Sequence, residues 1–197
     1  VGSSSRLVIY LTDTVSSWLG IVSGLKAQGI PFRVTTDINE AIKHTVVLVY
    51  PAMNSKRINM ETFKKLRDHP KNGGVLIGFN VQAPSMYPTF GFGKTMYSSQ
   101  RDEVIIRNFT LPETNFIEDL KEAVLKIGNL SAAAISMTTI GYTETAYHPI
   151  AVFKDGSAAI VRSLYNKGAC YAFGFDLGFL TIMAHANLDP EIQRTYV

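Results

Sequence analysis

The sequence is short of several things whose absence narrows its chemistry. It has one cysteine, Cys170, among 197 residues, which excludes an internal disulfide framework. Cys170 sits in the apolar run Ala169-Cys170-Tyr171-Ala172-Phe173 and reads as a small buried hydrophobe, because a reactive thiolate needs an electropositive, partly exposed setting. No apolar run approaches the ~20 residues of a helical membrane span. The four histidines, His44, His69, His148 and His185, form no pair at metal-ligand spacing, so no metal is expected. Basic residues are scattered: the net charge is +3, and the densest group, Lys64, Lys65 and Arg67, reads as the solvated face of a helix. That distribution argues against a nucleic-acid partner. Gly-x-Gly-x-x-Gly does not follow Leu11, and Gly-x-Ser-x-Gly occurs nowhere. Gly91-Phe92-Gly93-Lys94-Thr95 has Pro88 where a phosphate loop needs its first glycine. No cofactor is therefore expected. No signal peptide is visible, yet Val1 is not a natural start, so the chain is expected to be a fragment of a longer protein.

What is present is a regular alternation of strand and helix signals. With 46% hydrophobic and 18% charged residues, the chain has enough apolar material for one compact α/β domain over 1–197. Leu7 to Leu11, Phe32 to Thr35, Val46 to Tyr50 and Val75 to Phe79 are short apolar runs closed by Asp, Pro or Gly, as expected of strands covered on both faces. Between them, Trp18, Ile21, Val22 and Leu25 recur at helical spacing behind Ser16 or Ser17, and a short helix is expected near Ile38 to Lys43. Met60, Phe63 and Leu66 recur behind Asn59 or Ser55. His44 and His69 fall at polar helix ends and are expected to be solvent exposed. Strand-helix-strand repeats with short connections imply a parallel sheet, which binds ligands beyond the carboxyl ends of its strands. Here that edge carries Asp13, Asp37, Tyr50 to Asn54, and Asn80.

After Asn80 the pattern changes. Gln82 to Ser99, rich in Pro, Gly, Ser and aromatics, reads as a long loop over the same edge. Its Tyr87, Phe90, Phe92 and Tyr97 could stack on sugar rings or pack the loop onto the sheet. Val104-Ile105-Ile106 reads as a strand, Phe116 to Ile127 as a helix, and Ser136 to Thr143 as a strand. Ala151 to Val161 reads as a hairpin turning at Asp155-Gly156, and Leu188 to Arg194 as a last helix. Asn108-Phe109-Thr110 and Asn129-Leu130-Ser131 match glycosylation sequons.

The run Asn72-Gly73-Gly74-Val75-Leu76-Ile77-Gly78-Phe79-Asn80 resembles the nucleophile strand of class I glutamine amidotransferase-like domains, where Gly-Gly and an apolar strand lead into Gly-x-Cys-x-Gly. Asn80 stands in the cysteine position and Gln82 in that of the second glycine. The segments Ala151 to Val161 and Asn166 to Gly178 are similar to the closing strands of the non-catalytic branch of that superfamily. This resemblance, running from Leu7 to Gly178, implies a flavodoxin-like three-layer sandwich with a mostly parallel central sheet and an added C-terminal β-hairpin. Such modules occur in carbohydrate-active proteins, beside polysaccharide deacetylases and in the trimerisation domains of some β-galactosidases.

The implied function is that of a non-catalytic module in a larger, extracytoplasmic or surface-bound carbohydrate-processing protein. It would bind polysaccharide or a neighbouring catalytic domain through Asp13, Asn54, Asn80, Gln82, Tyr87 and His148, and it allows an oligomer. An asparagine cannot attack a carbonyl as an activated cysteine or serine does, and no His-x-Glu pair surrounds His148. The alternative is a hydrolase in which His148 and Asp13, Glu144 or Asp176 activate water.

Overall fold

The structure is a computed structural model and describes residues 6–107, 123–128 and 137–188, with side chains described as far as residue 183. Strands β1 (Leu7–Leu11), β2 (Phe32–Thr35), β3 (Val46–Tyr50), β4 (Val75–Phe79) and β11 (Gly168–Phe173) lie parallel in the order β2-β1-β3-β4-β11. Each of the first four follows the apolar run that predicts it. Strand pleating sends alternate side chains of β1 to opposite faces. Val8 and Tyr10 join one apolar cluster, with Val47, Val49, Phe63 and Leu66, while Ile9 and Leu11 join another, with Ile21, Leu48 and Tyr50.

Helices cover both faces. Helix α1 (Trp18–Ala27) packs against α5 (Leu177–Leu188) on one side, and α3 (Met60–Lys71) packs on β4 and β11 on the other. The Asn59 carboxamide caps α3 by accepting from Thr62 N–H at 2.8 Å, and Asp37 caps the short α2 (Ile38–Ala41) through Asn39 N–H at 2.8 Å. The expected flavodoxin-like α/β sandwich is therefore what the chain forms.

The sheet continues beyond β11 as an antiparallel half larger than one hairpin. Strands β10 (Ala158–Tyr165), β9 (Ala151–Phe153), β6 (Glu103–Ile106) and β7 (Val124–Lys126) follow in that order, and β5 (Lys94–Ser98) pairs with β8 (Thr139–Thr143), which touches β10. Gly156 supplies the positive φ, 82°, of the β9–β10 turn.

Three expectations are corrected here. Gln82 to Ser99 is not one irregular loop: Pro84–Met86 and α4 (Tyr87–Phe90) are short helical turns, and β5 pairs with a strand distant in sequence. Within the predicted helix Phe116 to Ile127, residues 124–126 are strand, because pairing with β6 outweighs local periodicity; residues 116–122 lie outside the described residues. The last helix starts at Leu177 rather than Leu188, and residues 189–194, like both sequons, lie wholly or partly outside the described residues.

Candidate functional site at the carboxyl edge

The backbone at the end of β4 turns sharply at Asn80, whose φ of 44° is left-handed, a conformation asparagine tolerates better than most residues. A nucleophile elbow makes the same demand, presenting one side chain above the sheet beside the N–H of the next residue. Gly78 allows the approach, since a Cβ there would overlap Met53, Phe90 and Val81. At this turn Asn80 donates through Nδ2 to the Pro51 carbonyl at 3.2 Å. Among the described residues no hydrogen-bond partner reaches its buried Oδ1, a condition native proteins keep rare.

The next amide is also engaged. Val81 N–H donates to the Tyr142 hydroxyl at 3.2 Å, and that hydroxyl donates to the Phe173 carbonyl at 3.0 Å. Burial pushes the Tyr142 phenol well above its ordinary pKa, so it stays a neutral O–H. The elbow thus has a carboxamide where acyl transfer needs a nucleophile, and a tyrosine hydroxyl on the amide that would bind an oxyanion.

Around the elbow, the edge residues bind one another. Asp13 meets Arg57 at 2.5 Å, tying the loop after β1 to the loop after β3. The Val15 N–H, then Arg57, hold the Asp13 carboxyl below its usual range. Asn54 Oδ1 accepts from Arg57 N–H at 3.1 Å. Gln82 donates its N–H to the Met53 carbonyl at 2.8 Å, and its own carbonyl accepts from the Tyr87 hydroxyl at 3.2 Å. Five of the six proposed ligand residues, Asp13, Asn54, Asn80, Gln82 and Tyr87, therefore belong to the loops leaving β1, β3 and β4.

His148 stands apart and is exposed. Its neighbour Ala146 donates N–H to the Gly91 carbonyl at 2.8 Å, and Gly91 lies against Ser163. On the other side of His148, Ile150 donates N–H to the Ile160 carbonyl at 2.9 Å, and Ile160 is in register with Phe173 and through it with Phe79, so the separation of His148 from Asn80 lies across the strands from β4 to β9. The carboxylates weighed as its partners are engaged elsewhere: Asp13 with Arg57, Glu144 with Lys94 at 2.5 Å, and Asp176 with the Tyr50 hydroxyl. Among the described residues no group of three His, Cys, Asp or Glu could hold a metal ion, and no helix is long and apolar enough to cross a membrane.

Packing decides how several other candidate residues are used. Phe90 and Phe92 are buried, and Phe92 packs with its ring tilted against Tyr87 and Tyr142 at centroid distances of 4.7 and 4.3 Å. Of the loop aromatics only Tyr97 is openly exposed, at 57%. Gly93 and Lys94 lead into β5, not into a phosphate-binding helix. Cys170 is fully buried, which pushes its thiol up to about 12. The two histidines expected in solvent are not: His44 is buried and His69 half-buried against the Thr45 carbonyl at 3.2 Å.

Sequence reasoning missed Tyr142, because nothing local marks a tyrosine 61 residues downstream as the partner of Val81. It placed Tyr50 on the carboxyl edge but missed its partner, Asp176 at the start of α5, which its hydroxyl bonds. Burial, then the Asp176 charge, raises the Tyr50 phenol far above its ordinary pKa.

No protein-family model and no curated protein matches the sequence. Solved structures do match in fold. A catalytic mutant of Gan42B, a GH42 β-galactosidase from G. stearothermophilus, aligns over 98% of this chain and 31% of its own, with 13% identity and a TM-score of 0.61. A ThuA-like protein from Bacteroides uniformis ATCC 8492 aligns over 92% of this chain and 91% of its own, with 13% identity and a TM-score of 0.54. The carbohydrate deacetylase Agd3 aligns over 85% and 28%, with 16% identity and a TM-score of 0.54. The chain spans about a third of the length of the glycosidases it matches. ThuA-like proteins have the class I glutamine amidotransferase-like fold, so this chain shares that fold with proteins that include carbohydrate-active enzymes.

Proposed function

We propose that this chain is a non-catalytic module of the class I glutamine amidotransferase-like fold within a larger carbohydrate-processing protein of the polysaccharide deacetylase type, placed outside the cytoplasm or at the cell surface. It binds glycan or a neighbouring catalytic domain along the carboxyl edge, through Asp13, Asn54, Asn80, Gln82 and Tyr87, with His148 at the periphery. One observation carries the reading: at the elbow, Asn80 replaces a nucleophile and Tyr142 occupies the Val81 amide. Without an attacking atom or a free oxyanion donor, acyl transfer at this turn has neither of its two main components. Fold neighbours of known carbohydrate chemistry support the context, by analogy of fold alone.

Between the two occupants, the packing of Phe90 and Phe92 favours the neighbouring domain, since rings held in the core cannot stack on a sugar. Titration calorimetry with neutral β-linked oligosaccharides at millimolar concentration separates them. Binding by the parent that is lost in Asn80→Ala and Gln82→Ala supports the glycan arm. No heat with any oligosaccharide removes it and leaves domain docking.

A further inference from the structure

We infer that β5 and β8 form a latch over the Val81 amide, held shut by the ion pair between Arg101 and Asp155. The inference concerns access to the elbow and stands whichever ligand the carboxyl edge binds. The pair β5–β8 lies off the main strand order and meets it narrowly. Tyr142 and Ala158 are the one register pair between β8 and β10. Ile140 N–H reaches the Gly174 carbonyl at 2.7 Å, and the Tyr142 hydroxyl reaches the Phe173 carbonyl at 3.0 Å. Ile140 and Tyr142 are both 1% exposed in the main apolar cluster, so local opening of this pair exposes those two side chains but breaks few backbone bonds to the rest of the sheet.

What fastens this pair is Arg101, only 8% exposed. Its guanidinium donates to Met96 O of β5 at 3.0 Å, to Thr139 Oγ1 of β8 at 3.0 Å, and to Ser157 Oγ at the start of β10 at 3.1 Å. It lies over the Phe153 ring of β9, 4.5 Å from its centroid. Asp155 Oδ2, in the β9–β10 turn, accepts from the guanidinium Nε–H at 2.8 Å and lies 2.7 Å from Nη2 as its ion pair. Among the described residues this is the one carboxylate paired with Arg101. Gly141 leaves room for the guanidinium, because a Cβ there would press on Arg101 and Ser157. Gly141 is the residue before Tyr142. The cation thus sits one residue away from the side chain that covers the elbow, and its counter-charge sits on a turn of the main sheet. Removing that counter-charge leaves a buried cation that gains by moving into water, and β5 and β8 move with it. Tyr142 then leaves Val81, whose N–H is freed to bind a ligand oxygen beside Asn80.

Native-state amide exchange tests this. In the parent protein at sub-denaturing guanidinium, the Val81 and Ile140 amides are expected to open together, before the Leu48 amide of β3. In Asp155→Asn both are expected to exchange roughly ten- to a hundredfold faster, the factor implied by losing a charge-assisted hydrogen bond, and still to open before Leu48, whose own exchange follows the variant's loss of global stability. Tyr142→Phe should speed Val81 alone. The latch is overturned if Val81 opens only together with Leu48 in the parent, or if Asp155→Asn frees Ile140 and leaves Val81 protected. The parent measurement decides the matter even if Asp155→Asn does not fold.

Discussion

Gly20 of α1 and Gly178 of α5 meet where the two helices cross, so closely that a Cβ on Gly20 would overlap the Gly178 carbonyl. Gly178 in turn fits beneath the Tyr50 hydroxyl and the Ser17 carbonyl. The contact brings the start of α5 onto the carboxyl edge, where Asp176 accepts from Tyr50 and from Phe179 N–H at 2.9 Å. Alanine ordinarily stabilises a helix interior by ~1 kcal/mol over glycine. At Gly20 the obstacle is backbone, which cannot rotate away, so Gly20→Ala is expected to lose about 1–3 kcal/mol, as overpacked cores do. Gly24 lies one turn on with nothing among the described residues within 4 Å of its Cβ position, and Gly24→Ala is expected to gain about 0.5–1 kcal/mol. Urea midpoints of the two variants should move in opposite directions.

The Arg101–Asp155 pair predicts an acid-dependent loss of stability. Burial works against the Asp155 carboxylate, but hydrogen bonds from Ser157 and Arg101 outweigh it and hold its pKa below the ordinary value. A depressed folded pKa means the unfolded chain binds the proton more readily. The stabilisation is therefore complete above the unfolded value of about 3.9 and is lost as pH falls through the lower folded value. Urea midpoints between pH 6 and pH 2.5 should show a fall at the acid end that Asp155→Asn reduces. At pH 7 that variant is expected to cost about 2–3 kcal/mol, below the usual loss for breaking a buried pair because Asp155 itself reaches solvent.

His69 predicts a second dependence at milder pH. Desolvation lowers its pKa below the ordinary 6.5, despite hydrogen bonds to the Thr45 and Val75 backbone that favour the charged form. Its ring also fills the space beside Gly74, where a Cβ would collide with it. Because the folded pKa is the lower one, the stabilisation from a neutral ring is full above about pH 6.5 and falls away as pH drops through the folded value. Thermal midpoints should decline from pH 7.5 to 5. His69→Gln should flatten that decline, and an equal slope in both proteins would assign it to other groups.

The parallel half of the fold was legible in sequence because its signals are local. Apolar runs of four or five residues identify strands without reference to partners, Pro51 ends one of them, and Gly29 and Asn72-Gly73-Gly74 stop the helices before the next. The turn at Asp155-Gly156 was legible for the same reason. Strands β5 and β7 were not: Lys94 to Ser98 and Val124 to Lys126 owe their conformation to pairing with β8 and β6, and pairing leaves no periodicity in so short a segment. The elbow divides in the same way. Asn80 announces itself by position after a glycine-rich strand, whereas Tyr142 and Arg101 act across long sequence separations, and a tyrosine or arginine in a polar stretch carries no mark of a buried hydrogen-bond network. His69 was misread because helix ends are usually wet, and the contact that covers it comes from Thr45 and the Gly74 turn.

Asn80 itself gives the last prediction, because its backbone and its side chain pull in different directions. A left-handed φ of 44° costs an L-residue with a Cβ about 1–2 kcal/mol, less for asparagine, and nothing for glycine. The side chain contributes one hydrogen bond to Pro51 and, among the described residues, leaves its buried Oδ1 without a partner, so its net worth is small. Asn80→Gly is therefore expected to stay within about 1 kcal/mol of the parent, having traded that bond against relief of strain. Asn80→Ala loses the bond and keeps the strain, and should fall about 1–2 kcal/mol below it. Urea unfolding of the three proteins decides the order. If alanine proves as stable as glycine, the turn is not strained, and the asparagine is held for its carboxamide alone.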